Sequence, residues 1–130
     1  GLKVQYEKLR NVFMSRFAEN PEVFAGIEDT RVLAVFEAMS QIMIHFFPSR
    51  ISADVTFDSS IILQGYYSSY RIYWENFFPR NNNELPHSTL NIYNGQSLIY
   101  TGGGKPEEVI AELVRIMTPL FEKLAQVQIV

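Results

Sequence analysis

The block from Ile51 to Thr101 constrains this chain most. Within it, segments rich in β-branched and aromatic residues follow one another with short polar breaks. They are Ile51–Phe57, Ile61–Tyr67, Tyr70–Phe78, Ser88–Tyr93 and Gln96–Thr101. Such side chains fit a pleated, half-buried surface, so each segment reads as a strand. Ser59-Ser60, Ser68-Ser69 and Asn94-Gly95 are breaks of turn length, which join antiparallel neighbours. Ile61 to Phe78 can also be read as one strand bent at Gly65. Pro79 to Pro86, with its three consecutive Asn, is a longer polar loop.

Helical periodicity flanks this block. Leu2, Tyr6, Leu9, Phe13 and Phe17 recur at three- and four-residue steps and form one apolar stripe. Asn20-Pro21-Glu22 ends that helix and opens a short turn that Gly26 closes. Asp29 or Thr30 is expected to cap a second helix with a stripe of Val32, Phe36, Met39, Met43 and Phe46 or Phe47. Pro48 stops it, because a residue before proline is pushed out of the helical region. After Thr101, Gly102-Gly103-Gly104-Lys105 reads as a flexible connection to a last helix beginning at Pro106. Its expected stripe is Ile110, Leu113, Met117, Leu120, Phe121 and Leu124, and Pro119 should kink or split it. Val127 to Val130 is apolar enough to dock as an edge strand.

Register at the Asn94-Gly95 hairpin follows from burial. A two-residue turn pairing Tyr93 with Gln96 would put Leu90 and Ile92 opposite the face of Leu98 and Tyr100. A three-residue loop with Gly95 left-handed pairs Ile92 with Gln96 and gathers Leu90, Ile92, Leu98 and Tyr100 on one face. Thr89, Asn91, Ser97, Ile99 and Thr101 then make a largely polar opposite face. The expected fold is therefore α+β: two N-terminal helices, an antiparallel meander of four or five strands and a C-terminal helix. All helices would cover one sheet face and leave the other wet, as a single domain over residues 1–130.

Composition narrows the functional classes. A length of 130 residues with 47% hydrophobic content suffices for a core without staples. Cysteine is absent, which excludes disulfides, thiolate catalysis and cysteine-based zinc sites. The net charge of -3 and scattered Lys and Arg give no basic footprint for nucleic acid and no polybasic run for a membrane. The longest apolar run, Ile42 to Phe47, contains His45 and is too short to span a bilayer. The chain opens on Gly1 rather than Met, which reads as a cleavage remnant or the start of a segment taken from a longer protein. Without Cys, a signal segment or a membrane segment, the expected location is the cytoplasm.

Few residues suggest chemistry. The glycine run before Pro106 lacks P-loop spacing, and Glu107 and Glu108 would repel a phosphate. Glu37, Gln41 and His45 share a helical face but read as a solvated one, since Gln is a poor transition-metal ligand. His87 beside Ser88 is no nucleophile–base pair, because adjacent side chains rarely meet. Asp54 and Asp58 fall on one side of a regular strand; Asp54 reads as a wet-face residue and Asp58 as a helper of the Ser59-Ser60 turn. No cofactor or metal site is expected, and the chain reads as non-catalytic.

The unusual feature is the aromatic third strand. One of its faces carries Tyr70, Ile72, Trp74 and Phe78, a core set. The other carries Arg71, Tyr73, Glu75 and Phe77, the aromatic and charged mixture that recognition surfaces use. Asn91 and Tyr93 are expected beside them. The leading reading is thus a protein-interaction or accessory domain, with Arg71, Tyr73, Glu75, Phe77, Asn91 and Tyr93 as its binding residues and another protein as partner. The alternative is a small-ligand protein or enzyme with an aromatic cavity between helices and sheet, lined by Tyr66, Trp74 or Tyr100. Single-strand nucleic-acid binding by stacking on the aromatic sheet is the least favoured expectation.

Overall fold

The computed structural model describes residues 1–81 and 83–129, with the side chains of Leu2 and residues 121–129 outside that description. Helix α1 spans Leu2–Glu19 and α2 spans Asp29–His45. Strands β1 (Arg50–Thr56), β2 (Ser60–Tyr67), β3 (Tyr70–Phe77), β4 (His87–Asn94) and β5 (Ser97–Gly104) follow, and α3 (Pro106–Ile129) closes the order. The sheet is an antiparallel meander in the order β1-β2-β3-β4-β5. The expected α+β architecture is what the chain forms.

Period-two burial decides which face the helices cover. Ala53, Ile61, Leu63, Tyr67, Ile72, Trp74, Leu90 and Ile92 are buried on one face, in one core with Leu9, Phe13, Phe36, Met43, Leu113 and Met117 of the helices. Phe13 and Phe36 stack face to face with ring centroids 4.1 Å apart, joining α1 to α2. Trp74 donates its indole N–H to Ser88 Oγ at 2.8 Å, and Ser88 donates onward to the Glu75 carbonyl at 3.2 Å. This pair satisfies a polar tip that full burial of the ring would otherwise strand.

Two turns explain how the strands are separated. Ser68 takes φ +55° in the two-residue turn between Tyr67 and Tyr70, so β2 and β3 are distinct rather than one strand bent at Gly65. Gly65 instead makes room: a Cβ there would lie 2.7 Å from the Tyr67 ring and 2.8 Å from Met43 Cε. The Tyr67 ring lies across that gap and donates its hydroxyl to the Met43 carbonyl at 2.6 Å. In the β1–β2 loop, Ser59 is left-handed at φ +63°, and its hydroxyl and backbone hold the neighbours together. The working side chain of this turn is thus Ser59, not Asp58.

Several local expectations are corrected. The β4–β5 turn consists of Gly95 and Gln96, with Asn94 opposite Ser97 and Gly95 at φ +61°. The extra residue enters further along, as a bulge that sets Ile92 opposite Tyr100 but Tyr93 opposite Leu98. Tyr100 therefore returns to the core side, while Leu98 stays 51% exposed. Gly102 to Gly104 are the last residues of β5 rather than a connection, paired with Leu90, Thr89 and Ser88. A Cβ on Gly102 would meet the Tyr100 ring, and one on Gly103 would come within 3.1 Å of the Ser88 carbonyl. Close packing, not flexibility, accounts for those two glycines.

The helix ends differ too. Glu28 is the N-cap of α2, with no side-chain capping bond, so neither Asp29 nor Thr30 performs that role. Asp29 sits in the first turn, where its charge suits the helix dipole. Phe47, before Pro48, leaves the helix in the left-handed region at φ +56°. Helix α3 continues through Pro119 to Ile129, so residues 127–129 are helical rather than an edge strand. The expected stripe positions Leu2, Phe121 and Leu124 have side chains outside the described set, as is Val130 altogether.

Candidate functional site

A meander with helices on one side leaves the alternate residues of every strand on an open face. Strand pairing sets these residues in rows across the sheet. The first row is Arg50, Tyr66, Arg71, Tyr93 and Leu98. The second is Ser52, Gln64, Tyr73, Asn91 and Thr101, and the third is Asp54, Ile62, Glu75 and Thr89. Thr56, Ser60, Phe77 and His87 form the fourth. Arg71, Tyr73, Glu75, Phe77, Asn91 and Tyr93 all lie on this face, and each is half-buried by its neighbours.

The first row alternates guanidinium and phenol. Arg50 lies over the Tyr66 ring and Arg71 over the Tyr93 ring, each with Cζ 4.2 Å from the ring centroid. The ring quadrupole attracts the cation, and stacking holds the planar fork in place. Arg71 also donates from Nη1 to Gln64 Oε1 at 3.0 Å, reaching into the second row. Ion pairs among the described residues join Arg16 to Glu19 and Arg115 to Glu112, so neither sheet arginine is neutralised by a carboxylate.

Further along, the face becomes acidic. Tyr73 donates its hydroxyl to Glu75 Oε1 at 3.3 Å. Burial, then the Glu75 charge and the hydrogen bond to it, push the Tyr73 phenol up to about 12. Asp54 is exposed and accepts the Val55 backbone N–H at 2.8 Å. Thr101 donates to Asn91 Oδ1 at 2.6 Å, tying β5 into the second row.

At the foot of the face lies an open hollow of about 450 Å³, lined by Phe57, Asp58, Glu75, Phe77, Arg80, Glu84 and His87 among others. Arg80, an exposed residue, donates from Nε to Ser59 Oγ at 2.6 Å and from Nη2 to the carbonyls of Val23 at 3.1 Å and Phe57 at 3.3 Å. It therefore braces the β1–β2 loop against the chain between α1 and α2. No group of three or more His, Cys, Asp or Glu side chains among the described residues is arranged to hold a metal.

The six residues expected from the sequence to bind do share one face, but Arg50 and Tyr66 were missed as members of the first row. The signal lay in register: Arg50 reaches Arg71 only through the pairing of β1 with β2 and β2 with β3. Of the residues expected to line an aromatic cavity, Tyr100 is half-buried on the helix-covered side opposite Ile92. Tyr66 is on the open face, whereas Trp74 is fully buried in packed core on the other side. Asp58 is outside β1, in the turn, and so shares no strand face with Asp54.

Fold and face together define an α+β protein with helices on one side of a meander and an aromatic, charged sheet surface on the other. No protein-family model matches the chain, and neither a curated protein nor a solved structure matches it. No described helix is long and apolar enough to cross a membrane.

Proposed function

We propose that this is a non-catalytic protein-interaction or accessory domain that captures another protein on its open sheet face. The observation that supports the reading is the clustering of Arg71, Tyr73, Glu75, Phe77, Asn91 and Tyr93 on a face without a covering helix. Tyr and Arg give large contact area with few rotors and hydrogen-bonding tips, which is why they dominate interface hot spots. The paired rows hold these side chains before a partner arrives, so less ordering is needed on binding. A cytoplasmic setting accords with the cysteine-free composition.

The test is affinity capture from native lysate by the wild-type chain and a Tyr73→Ala/Phe77→Ala variant. Circular dichroism first establishes that both are folded. A captured protein is then produced alone and titrated against each. Binding by wild type and its loss with the variant is the expected result. Equal affinity for both forms would remove the open face as the interaction site.

A further inference from the structure

Charge on the open face is segregated by row. Arg50 and Arg71 stand in the first row on β1 and β3, with Tyr66 of β2 between them. Two strand spacings put their backbones about 10 Å apart. Asp54 and Glu75 stand together in the third row. Glu75 lies four positions beyond Arg71 along β3, about 13 Å at strand rise. A face only two rows deep between its charges is therefore cationic at one end and anionic at the other.

The cationic end is built for planar anions. Both guanidiniums are stacked on tyrosines at 4.2 Å, and neither has a carboxylate partner among the described residues. Over the rings, Arg50 keeps its fork for a carboxylate, and Arg71, whose Nη1 donates to Gln64 Oε1, presents its Nε and Nη2 edge for two parallel N–H bonds. A nucleic-acid strand carries a phosphate at every step, and one laid across the face would run onto Asp54 and Glu75. A peptide whose acidic residues form a short stretch along the first row meets no such penalty.

We infer that the Arg50–Tyr66–Arg71–Tyr93 row is a clasp for an acidic segment of the protein partner, whose Asp or Glu carboxylates the two guanidiniums grip. This rests on the interaction reading above and specifies the partner chemistry. The guanidiniums set orientation as well as affinity, since the same segment shifted toward the third row would face carboxylates.

The test uses the isotope-labelled full chain and four probes: oligoglutamate, oligolysine, inorganic phosphate and a single-stranded oligonucleotide. Oligoglutamate should shift the Arg50 and Arg71 Nε and the Tyr66 and Tyr93 ring signals saturably, with affinity falling as salt rises. An Arg50→Gln/Arg71→Gln variant, shown folded by its amide spectrum, should bind about tenfold more weakly or not at all. An Arg50→Lys/Arg71→Lys variant keeps the charge but loses the stacked fork, and should fall between the two. No shift with oligoglutamate, or an equal shift in the Gln variant, overturns the clasp. Tighter binding of phosphate or oligonucleotide than of oligoglutamate overturns it as well. A captured partner lost with Tyr73→Ala/Phe77→Ala yet retained by the Gln variant would sink the clasp and leave the interaction face standing.

Discussion

On one face of the sheet Leu63, Ile72, Trp74, Leu90 and Ile92 have lost all contact with solvent. On the other, Gln64, Arg71, Tyr73, Asn91 and Tyr93 keep part of theirs, although they alternate with the first set along the same strands. Volume rules the first face, where each side chain is surrounded and a change in size is felt at once. Cross-strand pairs rule the second, where each contact is worth little to folding and partners can be exchanged. The difference teaches that the two faces answer to different forces, so mutations on the open face can test the proposed recognition without unfolding the core.

The largest effect belongs to Trp74→Ala. It removes the biggest wholly buried ring and should cost about 3–5 kcal/mol in denaturant unfolding. A loss below about 1 kcal/mol would erase the contrast between the faces. Gly65→Ala comes next, at about 1–3 kcal/mol, because the new methyl displaces the Tyr67 ring and strains its bond to the Met43 carbonyl. Adding Tyr67→Phe to it should then cost less than in wild type, since the two changes share one contact. Ser88→Ala leaves the buried Trp74 N–H without its acceptor and should cost about 1–3 kcal/mol, readable as a lower unfolding midpoint at constant slope.

On the open face, Tyr73→Ala with Phe77→Ala should cost about 1 kcal/mol or less while abolishing partner capture. A drop comparable to Trp74→Ala would break the comparison by showing that the aromatic rows carry the fold. The smallest effect is a titration. Because the folded Tyr73 phenol is pushed above its ordinary value of 10.0 to about 12, the folded chain holds that proton more tightly than the unfolded chain. Its contribution is fully present below pH 10 and is lost as pH rises through about 12. Tyr67, raised by burial, acts in the same direction. Tyrosinate absorbance should show a late-titrating phenol that Tyr73→Phe removes; an unchanged titration curve would dismiss the Tyr73–Glu75 bond.

Much of this was legible from residue order alone. The period-two pattern of Tyr70 to Phe78 separated core from open side chains, and turn-length breaks required a meander. Where reading failed, local signals competed with a distant contact. Gly102 and Gly103 look like loop punctuation, yet they pair with Leu90 and Thr89 as strand residues, where the Tyr100 ring and the Ser88 carbonyl crowd the place of a Cβ. The Asn94-Gly95 signal located the turn but not the bulge at Leu98–Tyr100, which answers the need to bury Tyr100 opposite Ile92. Pro119 does not split α3, which runs on to Ile129.

By itself, then, the order of residues determined the succession of helices and strands, the apolar stripes of the helices, the apolar face of β3, and the absence of cysteine chemistry. These are matters of spacing and side-chain type, which a chain carries before it folds. Tertiary structure decided which open-face residues stand in one row: Arg50 with Tyr66, and both beside Arg71 and Tyr93. Register joins residues far apart in the chain, and it is chosen by the summed burial of the opposite face rather than by any local signal.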